Sequence, residues 1–375
     1  MDGSEIKLFR SLASIPSPSG RERGVAEFIR KELGAMKIPS IIDGAGRKNG
    51  SDTGNLVATL EGEKDLTIMF TSHMDTVAED MTRPKLVERN GILRSANNAI
   101  MGADAKAGTA ALISALGYLR KKSHPTIIAA FTTREEEGMM GAKLLSIKRR
   151  VDYAFVIDDE GKVGSFAARA LGYLPFAVSF KGRAAHAATE PEKGRNAIAA
   201  AALFVRSLKI GKNSRGETLN IGTISGGTKD NVVPADAVVT GEVRAFEIGG
   251  IERQMKHVRE AAEKAGASTG CSYTVAEKKN AGSYPFNSTG GRIAEIARKA
   301  AVKAGIGFEL RDMYATCEAN FLCEKGYDTI VMRPGYRNPH STSESISVSE
   351  IRNCRNLIIS ISEVVSGIAA GSSQK

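Results

Sequence analysis

The segment LTIMFTSHMD, residues 66–75, runs five apolar or β-branched residues together and ends on a histidine and a carboxylate. A short unbroken apolar run marks a strand covered on both faces, as in a parallel sheet flanked by helices. His73 and Asp75 stand two residues apart, so an extended backbone points both to one side. The same grammar recurs along the chain. The apolar run 126–133 leads into Glu135-Glu136-Glu137 and then Gly138, and YAFVI at 153–157 leads into Asp158-Asp159-Glu160-Gly161. GADAKAG at 102–108 sets Asp104 in a glycine-rich turn ahead of a helical pattern with Leu112, Leu116 and Leu119 on one side. His340 sits in the turn-rich NPHS at 338–341, before a C-terminal helix that SVSE at 347–350 would open as a capping box.

Three adjacent carboxylates repel one another unless positive charge sits among them, and a metal ion is the simplest source. In open α/β sheets, ligands bind beyond the carboxyl ends of the strands, where loops converge. Two of only five histidines, His73 and His340, occupy strand-end or turn positions alongside four separate acidic signals. Nitrogen and oxygen donors without thiolate suit Zn²⁺ or a similar divalent ion. Cys271, Cys317, Cys323 and Cys354 show neither a C-x-x-C pair nor zinc-finger spacing, and read as packed or free thiols in a reducing compartment. The donors outnumber the needs of one tetrahedral ion, which favours two metals sharing a carboxylate, about 3.5–4 Å apart.

At 375 residues with 42% hydrophobic residues, the chain is long enough for two domains. Ser19-Gly20-Arg21-Glu22 reads as a capping box for a helix with Val25, Phe28, Ile29 and Leu33 on its apolar face, and 43–53 reads as a glycine-rich loop. Strands and helices then alternate to about residue 170, which predicts a mostly parallel, helix-covered sheet. From there the pattern changes to strand 174–180, helix 196–208, strand 238–246 and helix 251–265, before a helix at 293–304 resumes the first domain. The expected fold is α/β, with a catalytic domain at 1–171 and 283–375 and an inserted, smaller α+β domain at 172–282. No run approaches the ~18 apolar residues of a membrane span, and the N-terminus lacks the pattern of a secretory signal, so a soluble, cytoplasmic protein without a membrane partner is expected. Net charge is +10, yet the basic residues fall in short runs at predicted helix ends, aromatics are 6% and Trp is absent, which argues against a nucleic-acid partner.

In this order, SHMDT (72–76), GADAKAG (102–108), EEEGMMGAK (135–143), VIDDEGKVG (156–164), KGRAAHAATEPEKGRNAI (181–198), NVVPADAVVTGEVR (231–244) and NPHSTSE (338–344) resemble the dinuclear zinc exopeptidases and deacylases. Peptidase T-like members, the tripeptide aminopeptidases, look nearest. The resemblance implies two Zn²⁺ per subunit, with Co²⁺ or Mn²⁺ as substitutes. His73 and Asp158 would hold one ion, Glu136 and His340 the other, and Asp104 would bridge both. It further implies that Asp75 orients His73, that Glu135 is the general base, and that the insert is a lid that makes a homodimer. His186 would reach across from the partner subunit to stabilise the oxyanion, and Asn231 and Arg244 would contact substrate. For Arg244, a surface ion pair with Glu242 or Glu247 is the competing reading. The implied activity is hydrolysis of the terminal amide of short peptides, tripeptides foremost. Deacylation of N-acyl amino acids, carboxypeptidase action, and a non-catalytic dimeric binding protein are the alternatives.

Overall fold

The computed structural model of the protein describes residues 3–278, 286–287 and 291–372. They fall into two compact units, Met1–Ala170 with Phe286–Lys375, and Leu171–Pro285. The expected second boundary, at 282/283, lies outside the described residues.

In the first unit, four strands run parallel at the centre of a sheet: Pro125–Thr132, Lys64–His73, Tyr153–Ile157 and Thr329–Met332. Leu56–Leu60 pairs antiparallel outside Pro125–Thr132, and Ser165–Ala170 antiparallel outside Thr329–Met332. Alternation along each central strand feeds two cores. Ile68, Phe70, Phe155, Ile157, Ile330 and Met332 face the helices Ser4–Ala13, Ala103–Leu119, Arg292–Lys303 and Val348–Ser372. Met69, Ala154, Val156 and Val331 face the opposite side, where Ala319 and Leu322 of the Glu318–Glu324 helix pack. Burial on both faces is what the unbroken apolar run at 66–70 encodes. Burying each of the larger side chains contributes about 1.5–3 kcal/mol, and Phe70 and Phe155 add a stacked pair with centroids 5.4 Å apart.

The second unit is a five-stranded antiparallel sheet in the order Gly211–Lys212, Thr218–Gly226, Asp236–Ala245, Gly172–Lys181, Ser272–Glu277. Strict in-out alternation along Gly172–Lys181 sends Leu174, Phe176, Val178 and Phe180 into a core with the helices Ala197–Ser207 and Ile248–Thr269. Asn196 caps the first of these, its side chain accepting from Ala199 N at 2.9 Å. Two of the expected strands and both helices occur close to their expected bounds. The strands Thr218–Gly226 and Ser272–Glu277 were not expected, because their polar, half-exposed residues carry little apolar pattern.

Three local expectations give way to tertiary context. Residues 43–53 are not simply a loop but contain the helix Ala45–Asn49, packed so closely that a Cβ on Gly46 would lie 2.1 Å from Thr53 O. The 19–22 segment is no capping box: the helix Arg23–Ala35 starts without a side-chain cap, and Ser19 and Glu22 turn elsewhere. The 347–350 box is half made. Ser347 Oγ accepts from Glu350 N at 3.1 Å, while the Glu350 carboxylate accepts from Val163 N instead of closing the box.

Candidate metal centre

Every candidate ligand of the first unit follows a central strand or opens a helix. His73 ends Lys64–His73, Asp158 follows Tyr153–Ile157, the glutamate triplet follows Pro125–Thr132, and His340 lies in the loop after Thr329–Met332. Because these strands are parallel, their carboxyl ends share one edge. Asp104 enters in the first turn of the helix Ala103–Leu119, beyond a left-handed Gly102 with φ +72°. The triplet makes the turn that two adjacent functional glutamates need: Gly138 has φ +99°, and Gly138 N and Met139 N both donate to Glu135 O.

Asp104 divides its two oxygens between two histidines. Oδ1 lies 2.9 Å from His73 Nε2 and Oδ2 lies 3.3 Å from His340 Nε2, and that same His340 nitrogen lies 3.0 Å from Glu136 Oε2. The other ring nitrogen of His73, Nδ1, faces the Asp75 backbone carbonyl at 3.1 Å and Asp75 Oδ1 at 3.4 Å. With Nδ1–H donating there, the Nε2 lone pair is left for a cation. The orienting partner is thus as much the backbone of Asp75 as its carboxylate. The carboxylate has further tasks, accepting from Glu135 N at 3.0 Å, Glu136 N at 3.1 Å and Ser19 Oγ at 2.6 Å. Asp158 stands beside this group, its Oδ1 accepting from Tyr336 OH at 2.9 Å.

The electrostatics are those of an acidic cluster that wants positive charge. Burial pushes Glu135 well above the usual carboxylate range, with Asp158 adding repulsion, and burial with repulsion from Asp104 lifts Asp158 to about 7. Glu136 is raised as well, by burial, against the pull of His340. Asp104 goes the other way: burial opposes its charge, but hydrogen bonds from His340 and His73 hold it far below the usual range. Hydrogen bonds to Asp104 and Glu136 raise His340 to about 10. For His73 burial opposes the charge, and Asp104 and Asp75 outweigh it, so its pKa is also raised.

Several supporting residues were not singled out from sequence. Glu344, buried, accepts from Gly102 N at 2.7 Å and Asp104 N at 2.9 Å, and so fixes the turn that presents Asp104. Its own pKa is lifted to about 7 by burial, which those N–H donors only partly offset. Glu22, fully buried, accepts from Gly20 N and Arg134 N, both at 2.9 Å, bracing the residue before the triplet. Lys106 reaches from the Asp104 helix to Ile15 O at 2.7 Å, with burial lowering its pKa to about 8. Glu344 and Lys106 lie inside quoted motifs, NPHSTSE and GADAKAG, though neither stood out there as a support, and Glu22 reads from sequence only as part of a helix cap.

In the second unit, His186 and Asn231 are brought together and Arg244 is not. His186 bridges Val232, and Ala187 N donates to Asn231 O at 3.0 Å. His186 Nδ1 accepts from Ala188 N and Thr189 N, both at 3.2 Å, which leaves the proton on Nε2 and makes that atom a donor. Arg244 lies toward the other end of the strand Asp236–Ala245, opposite Tyr173, its Nε and Nη2 donating to the two oxygens of Glu242 at 2.9 and 3.2 Å. Its guanidinium also lies over the Tyr173 ring, 4.6 Å from the centroid. The ion pair named as the competing reading therefore exists.

The donors suit a divalent cation. One ligand atom each from His73, Asp104 and Glu136 lie within 4.8 Å of one another, giving nitrogen and carboxylate oxygen but no sulfur. Among the described residues, no helix is long and apolar enough to cross a membrane. Residues 55–162 match the model of peptidase family M28, and residues 170–269 match that of the peptidase dimerisation domain of the M20 peptidases. The chain is 31% identical over 362 residues to the Bacillus subtilis (strain 168) protein YqjE, covering 96% of this chain and 97% of that one. Aminopeptidase PepT from Bacillus cereus ATCC 10987 is 31% identical with a TM-score of 0.90, over 96% of this chain and 98% of its own. A tripeptidase from Staphylococcus aureus subsp. aureus Mu50 is 25% identical with a TM-score of 0.89, over 97% and 98%. A strand-end cluster of imidazoles and carboxylates, on a fold shared along the whole chain with these peptidases, makes this protein a peptidase T-like metallo-exopeptidase of the M20 family.

Proposed function

We propose that the protein is an aminopeptidase acting on short peptides, tripeptides foremost, with two zinc ions per subunit. The observation that carries this reading is Asp104, which offers one oxygen toward each of two histidines that come from different loops. His73 and Asp158 would hold one ion, His340 and Glu136 the other, and Asp104 both. Bound there, divalent cations supply Lewis acidity, polarising a carbonyl and lowering the pKa of water toward ~7.

The chain's own residues do the rest. Asp75 holds the Glu135 and Glu136 backbone N–H groups and so sets where both carboxylates stand. Glu135, outside the proposed ligand set, takes the proton from the attacking water and returns it to the departing amine. His186, with its Nε2–H free to donate, is suited to stabilise the oxyanion, and Asn231 beside it to orient the substrate. Arg244 is a weaker substrate contact, because Glu242 already occupies its fork. The free thiols of Cys271, Cys317, Cys323 and Cys354 support a reducing, cytoplasmic setting.

A substrate panel tests the assignment: tripeptides, dipeptides, peptides with a blocked amino terminus, and N-acetyl amino acids, with metal content measured in parallel. Release of the N-terminal residue from tripeptides, about two ions per chain, and loss of activity on chelation are expected. Acetate release without attack on free peptides would make it a deacylase. Cleavage of amino-blocked peptides from the other end would make it a carboxypeptidase.

A further inference from the structure

The helices Ser4–Ala13, Arg23–Ala35, Ala103–Leu119 and Val348–Ser372 enclose a groove of about 860 Å³, within the range of small-molecule sites. Leu8, Phe28, Met36 and Ile113 give it an apolar wall. Asp104 belongs to the same helix as Ile113 but lies nine residues earlier, roughly 14 Å at 1.5 Å per residue, so the groove is separate from the metal centre.

The charge around this wall is one-sided. Lys7, Lys121, Lys122, Arg352 and Arg355 line it, against Glu5 and Glu32. Arg352 faces Glu5 at 3.5 Å, whereas the other four cations have no ion-pair partner among the described residues. Arg355 is held in place: Nε donates to the buried Ser114 Oγ at 3.0 Å, Nη1 to Asn356 Oδ1 at 3.0 Å, and the guanidinium lies 5.6 Å from the centre of the Tyr118 ring. Those contacts leave Nη2 available. Lys122 Nζ lies 5.7 Å from the same ring centre. A preset guanidinium and an unpaired ammonium beside an apolar wall are complementary to a ligand with a hydrocarbon body and an anionic head.

We propose that this groove is a second ligand site, for a free amphiphilic carboxylate. Its hydrocarbon body would lie on Leu8, Phe28, Met36 and Ile113, and its head between Arg355 and Lys122. Calorimetric titration of the full chain with octanoate and with uncharged octanol tests this. Octanoate should bind one to one, and octanol about tenfold more weakly or worse. A Lys122→Gln/Arg355→Gln double variant should lose about tenfold in octanoate affinity while binding octanol unchanged. Gly117→Met fills the groove, since a Cβ at 117 already meets Met36 Sδ at 2.9 Å, and should abolish binding of both. If the double variant does not fold by circular dichroism, Lys122→Gln alone, at an exposed position, serves as the charge test. No saturable octanoate binding by the unaltered chain, or equal binding by the charge and groove variants, overturns the proposal. So does co-sedimentation with phosphatidylglycerol vesicles in the absence of octanoate binding, which would make this face a membrane contact.

Discussion

Two adjacent glutamates with different contacts are the finest distinction in the candidate site: among the described residues Glu136 meets His340, and Glu135 does not. Replacing Glu135 with Gln keeps the side chain's shape but removes its proton-accepting power, so turnover should fall about 10²–10⁴-fold while metal content stays at the level of the unaltered protein. A drop below about tenfold, or loss of metal, would take the proton-transfer role from Glu135. Glu344 is expected to act through Asp104. Glu344→Ala leaves two buried N–H groups, of Gly102 and Asp104, without an acceptor and releases the turn, so metal affinity should fall about 10–100-fold in a chelator competition. Equal affinity would show that the turn holds itself. These residues differ in how far the sequence betrays them. The proposed ligands His73, Asp104, Glu136, Asp158 and His340 stand out in the sequence because few residue types can hold a metal and each lies after an apolar run or in a turn. Ser19, Glu22 and Tyr336 are ordinary residues until the chain brings them to Asp75, Arg134 and Asp158 from elsewhere in the sequence.

Among the secondary-structure elements, those buried on two faces announced themselves and those defined by partners did not. The runs at 66–70 and 153–157 could only be covered strands, and both are. The polar strand Thr218–Gly226 exists because Asp236–Ala245 supplies its hydrogen bonds, which no local pattern records. The misread capping box makes the same point: Ser19 and Glu22 have the right spacing for a cap, but Asp75 and Arg134 offer buried partners that a solvent-exposed helix start cannot match. In the second unit the helix Ala197–Ser207 depends on one aromatic. Phe204, fully buried, meets Phe180 with centroids 5.8 Å apart and anchors the helix to the sheet. Phe204→Ala should therefore cost about 3–5 kcal/mol in urea unfolding, with the metal centre's affinity unchanged in the folded protein. A cost under about 1 kcal/mol would mean that the helix is held by its alanines and its Asn196 cap.

For the protein as a whole, the proposed roles of His186 and Arg244 set a geometric problem that a dimer would solve. His186 and Asn231 lie beyond the Asp236 end of the strand Asp236–Ala245, where Gly182 N donates to Ala235 O, whereas Arg244 lies eight residues along, roughly 27 Å away at 3.4 Å per residue. An extended tripeptide spans about 10 Å. If both ends of this strand serve catalysis, one subunit's His186 and Arg244 belong to different active sites. The surface offers a way to pair: residues 220–226 of Thr218–Gly226 have no strand partner on their outer edge among the described residues, and Ile198, Leu203 and Ile224 are 40%, 41% and 55% exposed nearby. The match of residues 170–269 to a peptidase dimerisation domain points the same way. Complementation tests the arrangement. His186→Ala and Glu135→Ala should each be inactive as homodimers. When equal amounts are dissociated, mixed and reassociated, half of the dimers are heterodimers. If His186 acts in trans, one site of each heterodimer combines an intact Glu135 with an intact His186 from the partner subunit, and about a quarter of normal activity returns. If His186 acts within its own subunit, each heterodimer site carries one lesion and the mixture stays inactive.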